Sequence, residues 1–356
     1  MSAPADRYPA PAQRYLPAGY QAERWEDIAP WYAELEARDL RKRGELERWI
    51  LDRGELEAFV SAAAARRNVA NACHTDDAEA ERRHLEFQVE VLAEVKNAAD
   101  RLDRKYLACG LRRALDSARW QVYDRDVELS ARLFRPENVG LEAQEERLCV
   151  QYGALSGGLT VPFRGRTHTL PELARYLEDP DRATREAAWR AGARRRLLER
   201  ERYEELFDQL LRLRVRMAAN AGFASYRDFR HAAYGRFDYT PQDCLALHEN
   251  IHRHVLPVLQ RMWRRRRERL GLAFLRPWDL AVDLEQRPPF QPFQDQAGQV
   301  AVAAAVLERV QLEFGQDLRW MEQRGLLDLQ TRPHKRPGGF LEHFEDERVP
   351  FIFGSM

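Results

Sequence analysis

What most constrains this chain is the reach of its helix-period stretches. From Arg24 to Ala108, apolar residues recur at three- and four-residue intervals, as in "PWYAELEARDL" and "ELERWILDRGELEAFVSAAAARRNVA". That spacing keeps one face of a 3.6-residue helix apolar. "HTDDAEAERRHLEFQVEVLAEVKNAADRL" continues the pattern, with Thr75, Asp76 and Asp77 as a capping group and Leu85, Val89, Leu92 and Val95 as its expected buried stripe. The fold class is therefore mainly α, a multi-helix body, with residues 1–20 as a Pro/Ala-rich extended arm and 21–150 as an N-terminal helical domain.

The pattern changes after residue 150. "LTVPF" and "RTHTL" alternate around Arg164-Gly165 and predict a small β-hairpin near 158–169. Two long helices follow, parted at Asp179-Pro180-Asp181 and closing near Ala221-Gly222. Thr240-Pro241 supplies an N-cap and a first-turn proline for the next helix. "QAGQVAVAAAVLERVQLEF" and "DLRWMEQRGLLDL" read as two more helices. "RPGGFLEHFEDERVPFIFGSM" reads as two short strands near 338–353 around an acidic turn.

The 356 residues include 57 Lys+Arg and 57 Asp+Glu, so no global field favours nucleic acid or a membrane surface. No segment approaches the ~20 apolar residues that span a bilayer. The four cysteines (Cys73, Cys109, Cys149, Cys244) form no C-x-x-C pair. They suit reduced, buried thiols in a cytoplasm.

"ALHENIH" contains H-E-x-x-H, the spacing of a zinc peptidase. On a helix His248 and His252 share a face, and Glu249 would be the general base for a metal-bound water. The competing reading is an ordinary helix. Cys244, Leu247, Ile251, Val255, Val258 and Met262 mark an apolar stripe, and Pro257 should kink the helix just beyond it.

Six segments occur in order: "HTDDAEAE", "YGALSGGLTVPFRGRTHTLPELARYLEDPDRATREAAWRA", "NAGFASYRDF", "GRFDYTPQDCLALHE", "LRPWDLAVD" and "RPGGFLEHFEDERVPFIF". Together, from about Arg14 to Phe353, they resemble oligoendopeptidase F, of the thimet-oligopeptidase-like zinc metallopeptidases. The resemblance implies a mostly helical, elongated body split by a channel that admits short peptides. It implies zinc held by an H-E-x-x-H helix that follows the "PFIF" strand, and no metal on the helix matching "ALHENIH". His248, Glu249 and His252 are then decoys, and no bound zinc is expected for this chain. Residues 151–356 become the hairpin and helical body leading into a catalytic domain, cut before the zinc motif. "VPFIFGSM" has no turn, cap or polar tail after it, so a fragment or premature stop is expected, with an unpaired apolar edge. Such a chain would be inactive alone and would lack its C-terminal catalytic partner segment.

The same resemblance makes Gly338, Gly339 and Phe340 candidates for a peptide-docking edge, where glycines allow close backbone approach. A plain turn before a strand is the alternative. "RMWRRRRERL" reads either as a nucleic-acid patch or as a helix keeping Met262 and Trp263 in the core, and the net neutrality favours the helix. "AGFASYRDFRHAAYGRFDYT" is a Tyr/Phe/Arg cluster that contacts substrate or fills a core between helices. "SGG" at Ser156–Gly158 lacks the Lys of a phosphate loop. Two other functions fit the residues: a non-catalytic helical peptide-binding protein, and a short zinc hydrolase using residues 248–252.

Overall fold

The computed structural model describes residues 15–285 and 287–355, so most of the arm expected over 1–20 lies outside the described residues. The fold is mainly α. Its first part comprises α1 (Trp25–Ala37), α2 (Arg43–Cys73), α3 (Ala78–Glu86), α4 (Leu92–Ala108), α5 (Ser117–Leu133) and α6 (Pro136–Gly157). The first apolar core gathers Ile28, Tyr32 and Leu35 of α1, Leu46, Trp49 and Leu56 of α2, and Leu102 and Tyr106 of α4. The Trp49 indole nitrogen, fully buried, donates to the Leu35 carbonyl at 2.9 Å and so needs no water.

Between α3 and α4 the helix widens into a π-helical turn, Phe87–Val91, where Leu92 N–H donates to Phe87 C=O, five residues back. That extra residue moves the buried face. The buried positions are His84, Phe87, Val91, Ala98, Asp100, Leu102, Asp103 and Tyr106, while Leu85, Val89, Leu92 and Val95 are only half-buried. The stripe predicted from a strict 3.6 period is thus displaced.

The hairpin forms as expected. β1 (Thr160–Phe163) pairs antiparallel with β2 (Arg166–Thr169), and Arg164 and Gly165 both take positive φ, the pattern of a type I′ turn. A short α7 (Leu170–Ala174) follows, capped by Thr169. Asp181 then caps α8 (Arg182–Leu197), accepting from the N–H groups of Ala183 and Thr184. Where one long helix was expected after Pro180 there are two. The chain breaks at Leu198-Glu199 before α9 (Arg200–Asn220), whose end is closed by Phe223 N–H on Ala218 C=O at 2.9 Å. α10 (Tyr226–Ala233), α11 (Pro241–Asn250) and α12 (Leu256–Arg269) come next, then α13 (Gln296–Val310) and α14 (Leu312–Gln323).

A second core lies under a three-stranded sheet of β3 (Leu327–Asp328), β4 (Gly338–Phe344) and β5 (Val349–Ser355). The second half of α2 reappears here: Ala62, Ala65, Val69, Ala72 and Cys73 pack with Val300, Met321, Phe344, Phe351 and Phe353. Small residues on this half of α2 let the sheet approach closely. β3 was expected as the tail of a helix. Helix α14 stops instead at Gln323, and Leu327 and Asp328 pair parallel with Ile352 and Phe353. β5 lies between β3 and β4, so the apolar "VPFIF" run is a central strand, not the unpaired edge expected of it. Among the cysteines only Cys73 is buried. Cys109, Cys149 and Cys244 are half-exposed, against the expectation of four buried thiols.

Asp279 is the most deeply held carboxylate of the second half. It is fully buried, in a single helical turn at Pro277–Asp279. Arg182 grips it with two bonds of 2.9 Å, and Arg185 adds a third at 3.2 Å while also donating to the Trp278, Asp179 and Pro180 carbonyls. Burial opposes the charge, but these guanidiniums and the Arg276 N–H hold the carboxyl below its ordinary range. An acid with a depressed folded pKa stabilises fully above its unfolded value of about 3.9 and loses that contribution as the pH falls through the folded one. Asp279→Asn should cost about 3–5 kcal/mol in urea unfolding at pH 7. It should also flatten the loss of stability below about pH 4. An unchanged midpoint at pH 7 would refute the role given to this cluster.

Candidate functional site

The sheet and the loop before it are held by a dense set of hydrogen bonds. The 331–337 loop runs across the C-terminal ends of α2 and α6. Arg336 N–H donates to Ala72 C=O at 2.9 Å, His334 N–H to Gly157 C=O at 3.0 Å, and Thr75 N–H to His334 C=O at 2.8 Å. Ala72 and Gly157 are among the last helical residues, whose carbonyls have no partner within the helix. The loop supplies that partner. It also explains the glycine at 157: a Cβ there would stand 2.9 Å from the Lys335 carbonyl oxygen.

Lys335 is the pin of this arrangement. Its side chain is fully buried. Nζ donates to Asp328 Oδ1 at 2.8 Å and to the carbonyls of Asp328, Gln330 and Gly354 at 3.0, 2.9 and 2.7 Å. It lies 4.5 Å from the Phe353 ring centroid. Arg332 completes the cluster, chelating Asp328 with two bonds of 2.8 Å and donating to Cys73 C=O at 2.9 Å. Burial lowers the Lys335 ammonium below the usual lysine range, against the pull of Asp328. Burial also opposes the Asp328 charge, but Arg332 and Lys335 outweigh it and hold that carboxyl far below its usual value. The Cys73 thiol, buried beside Asp328, is pushed up to about 12, so it is a packing group and no nucleophile at neutral pH.

This anchoring leaves one strand edge open. In the order β3-β5-β4, strand β4 has β5 on one side only. Gly338 pairs with Ser355, Gly339 with Gly354 and Phe340 with Phe353. Gly338 has φ +104°, a conformation that side chains rarely adopt, and open space beside it. Phe340 stacks on Phe353 with centroids 4.5 Å apart, and Arg336 lies 4.7 Å from the Phe340 ring. One face of β4 is fixed to α2: Asn68 donates to Glu342 at 3.0 Å, and Arg66 lies over Phe344 while pairing with Asp346 and Glu347. On the other face Leu341 is 54 % exposed.

The zinc-like spacing sits elsewhere, on an exposed helical stretch. His248 and Glu249 belong to α11, but His252 lies in a second π-helical turn, Ile251–Val255, where Leu256 N–H reaches back to Ile251 C=O. The turn widens the step between the two histidines, and both are exposed. Glu249 accepts from Arg253 at 3.2 Å. Among the described residues no group of three or more His, Cys, Asp and Glu is arranged to hold a metal ion.

The helix around the motif departs from expectation. The stripe predicted as core is open, with Leu247 57 % and Met262 61 % exposed and Ile251, Val255 and Val258 exposed beside them. Trp263 is exposed too. Pro257 falls one residue inside α12, just after the widened turn, which absorbs the bond that its missing N–H cannot make. Of the arginine run, Arg266 turns inward and donates to the carbonyls of Asp279 and Val282. The "AGFASYRDFRHAAYGRFDYT" segment divides: Phe229 is buried with Ala218 and Ala221, whereas Tyr234, Phe237 and Tyr239 are exposed.

The model of peptidase family M3 matches residues 175–353, half of the chain, ending on β5. The chain belongs to peptidase family M3. Its fold is that of PZ peptidase A, solved with an inhibitor: TM-score 0.88 at 23 % identity, covering 95 % of this chain and 61 % of that one. An oligoendopeptidase F from Bacillus anthracis str. Ames gives TM-score 0.87 at 19 % identity, covering 97 % and 64 %. A further oligoendopeptidase F structure gives 0.88 at 22 %, covering 97 % and 61 %. The chain thus spans less than two thirds of the length of each. No curated protein matches it. No described helix is long and apolar enough to cross a membrane.

For this M3 chain, the Lys335 cluster and strand β3 were absent from the sequence reading. The one available signal was a lysine between two prolines, three residues before the β4–β5 strand pair, and that does not specify burial. Lys335→Met should destabilise the protein by about 2–4 kcal/mol, because three backbone carbonyls lose their donor and Asp328 loses a cation. Thermal unfolding would show it, and a shift under 1 °C would count against the anchoring role. For the motif, metal content by mass spectrometry after zinc loading should be the same for the wild type and His248→Ala.

Proposed function

We propose that these 356 residues form the helical channel wall and the peptide-docking edge of an M3 oligoendopeptidase, acting on short peptides. The observation that carries this reading is the free edge of β4. Seven residues of extended backbone, at about 3.4 Å each, offer unpaired N–H and C=O groups to one peptide strand. An exposed edge of this kind is ordinarily covered or blunted, because it pairs with any extended chain. Here Gly338, Gly339 and Phe340 open it, α2 and Lys335 fix it from beneath, and no bulky side chain stands beside Gly338. Main-chain pairing gives affinity without a strong sequence preference, which suits an enzyme for varied short peptides.

Zinc belongs to the complete family enzymes, where it supplies a polarised water for attack on the peptide carbonyl. In this reading His248, Glu249 and His252 take no part in that step, and the chain by itself binds peptides without hydrolysing them. The division into an N-terminal helical domain over 21–150 and a body over 151–356 leading to the catalytic segment belongs to the same proposal.

A set of hexapeptides, each N-methylated at one backbone amide, tests the docking mode. Binding measured by fluorescence anisotropy should weaken at alternate positions only, since every second N–H of an added strand faces β4. A uniform response to methylation would exclude strand addition. Amide hydrogen exchange of β4 should slow when peptide is added, and an unchanged rate across 338–344 would also exclude it.

A further inference from the structure

The chain has no net charge, but its cations are not evenly placed. A cleft of about 640 Å³ opens between α9, α10, the 234–240 loop and the start of α11. Arg214, Arg227, Arg230 and Arg236 line it, with Glu145 as the one carboxylate among its walls. Two of the four guanidiniums are neutralised. Arg214 donates to Glu145 at 2.7 Å, and Arg227 to Asp228 at 2.9 Å.

Arg230 and Arg236 are different. Among the described residues neither has a carboxylate within ion-pair distance, in a chain where surface arginines are commonly paired. Both instead lie over one ring: their guanidinium carbons are 4.5 and 4.8 Å from the Tyr234 centroid. Arg236 is also 5.7 Å from the Tyr239 ring. Aromatic faces hold the two side chains in place without cancelling their charge. Two like charges beside the same ring repel each other, and an anion between them relieves that repulsion. A second orphan stands in the same wall. His231 packs edge-on against Tyr239 at 5.3 Å, and its Nε2 is shut from solvent with no hydrogen-bond partner. Arg230 and Arg236 thus lack a carboxylate of their own, and planar guanidiniums match a carboxylate's two oxygens.

We propose that this cleft is a carboxylate-binding subsite, in which Arg230 and Arg236 together hold a carboxylate of a short peptide. This inference rests on the peptide-binding reading above. The carboxylate is either the peptide's C-terminus or an acidic side chain, since both present the same two oxygens. Either source makes the cleft a selector of peptide end or composition, separate from the pairing edge at β4.

The test uses the full chain and three fluorescent hexapeptides: a free acid, its C-terminal amide, and an amide with a central Glu. The free acid should bind about tenfold tighter than the plain amide, the worth of a charge-assisted hydrogen bond. Arg230→Met and Arg236→Met should each remove most of that difference. Arg236 lies on an exposed loop, so its variant keeps the fold even where Arg230→Met loosens it. Recovery of affinity by the Glu-containing amide identifies any carboxylate as ligand, and no recovery identifies the C-terminus. Tighter binding of the Glu-containing amide alone identifies an acidic side chain, whereas equal binding of all three peptides, or a carboxylate preference that survives in both variants, overturns the subsite and leaves the peptide-binding reading intact. Absence of binding by all three peptides overturns both.

Discussion

A single helix is shared by both apolar cores. Helix α2 has 31 residues, about 46 Å at 1.5 Å per residue, and no other element contributes so many residues to each core. Its first half is large and apolar, Leu46, Trp49 and Leu56, and faces the helices α1 and α4. Its second half is small, Ala62, Ala65 and Ala72, and receives the sheet. Large residues fill the space between helices, and small ones let a sheet lie flat against a helix. The change of side-chain size along one helix therefore decides where helical packing ends and the β-layer begins. It also ties the stability of the sheet edge to that of the N-terminal core.

The interactions that position β4 are almost all made from beneath. Lys335, Asp328 and Arg332 lock the loop and β5, while Asn68 and Arg66 hold the strand and its turn to α2. Among the described residues nothing comparable holds the outer edge. Rigid support on one side and open hydrogen-bonding groups on the other is the arrangement that lets a bound strand pair without first ordering its receptor. The cationic cleft by α10 follows another logic. Its aromatic supports order the guanidiniums and leave their charge available.

Local chemistry made much of the fold legible in the sequence. Arg164-Gly165, Asp181 and Thr240-Pro241 act within four residues of themselves, so a turn, a cap and a helix start could be read directly. What could not be read depended on distant partners. The widened turns at Phe87–Val91 and Ile251–Val255 shift the helical phase, and a strict period then assigns the wrong buried face. β3 exists because β5 is there to pair with it. The burial of Lys335 depends on carbonyls as far as Gly354, nineteen residues on. Of the candidate site, the strand opening at "PGGF" was visible in the sequence. The zinc-like spacing was equally visible, but its three residues are exposed, and Glu249 is engaged by Arg253. The Arg/Tyr segment was noticed as a composition, yet only three dimensions separate its paired arginines from its unpaired ones.

The convergence of α2 and α6 on one loop has an electrostatic meaning. Each helix presents a partial negative charge of about half a unit at its C-terminal end, from carbonyls aligned along its axis. Two such ends meet at residues 331–337, and that loop carries Arg332, Lys335 and Arg336 and no acid. The basic loop is thus a counter-charge to helix dipoles. Its cations answer the field of those dipoles as well as the Asp328 carboxylate, and a loop of the same shape built from neutral residues would leave the helix ends with backbone donors alone.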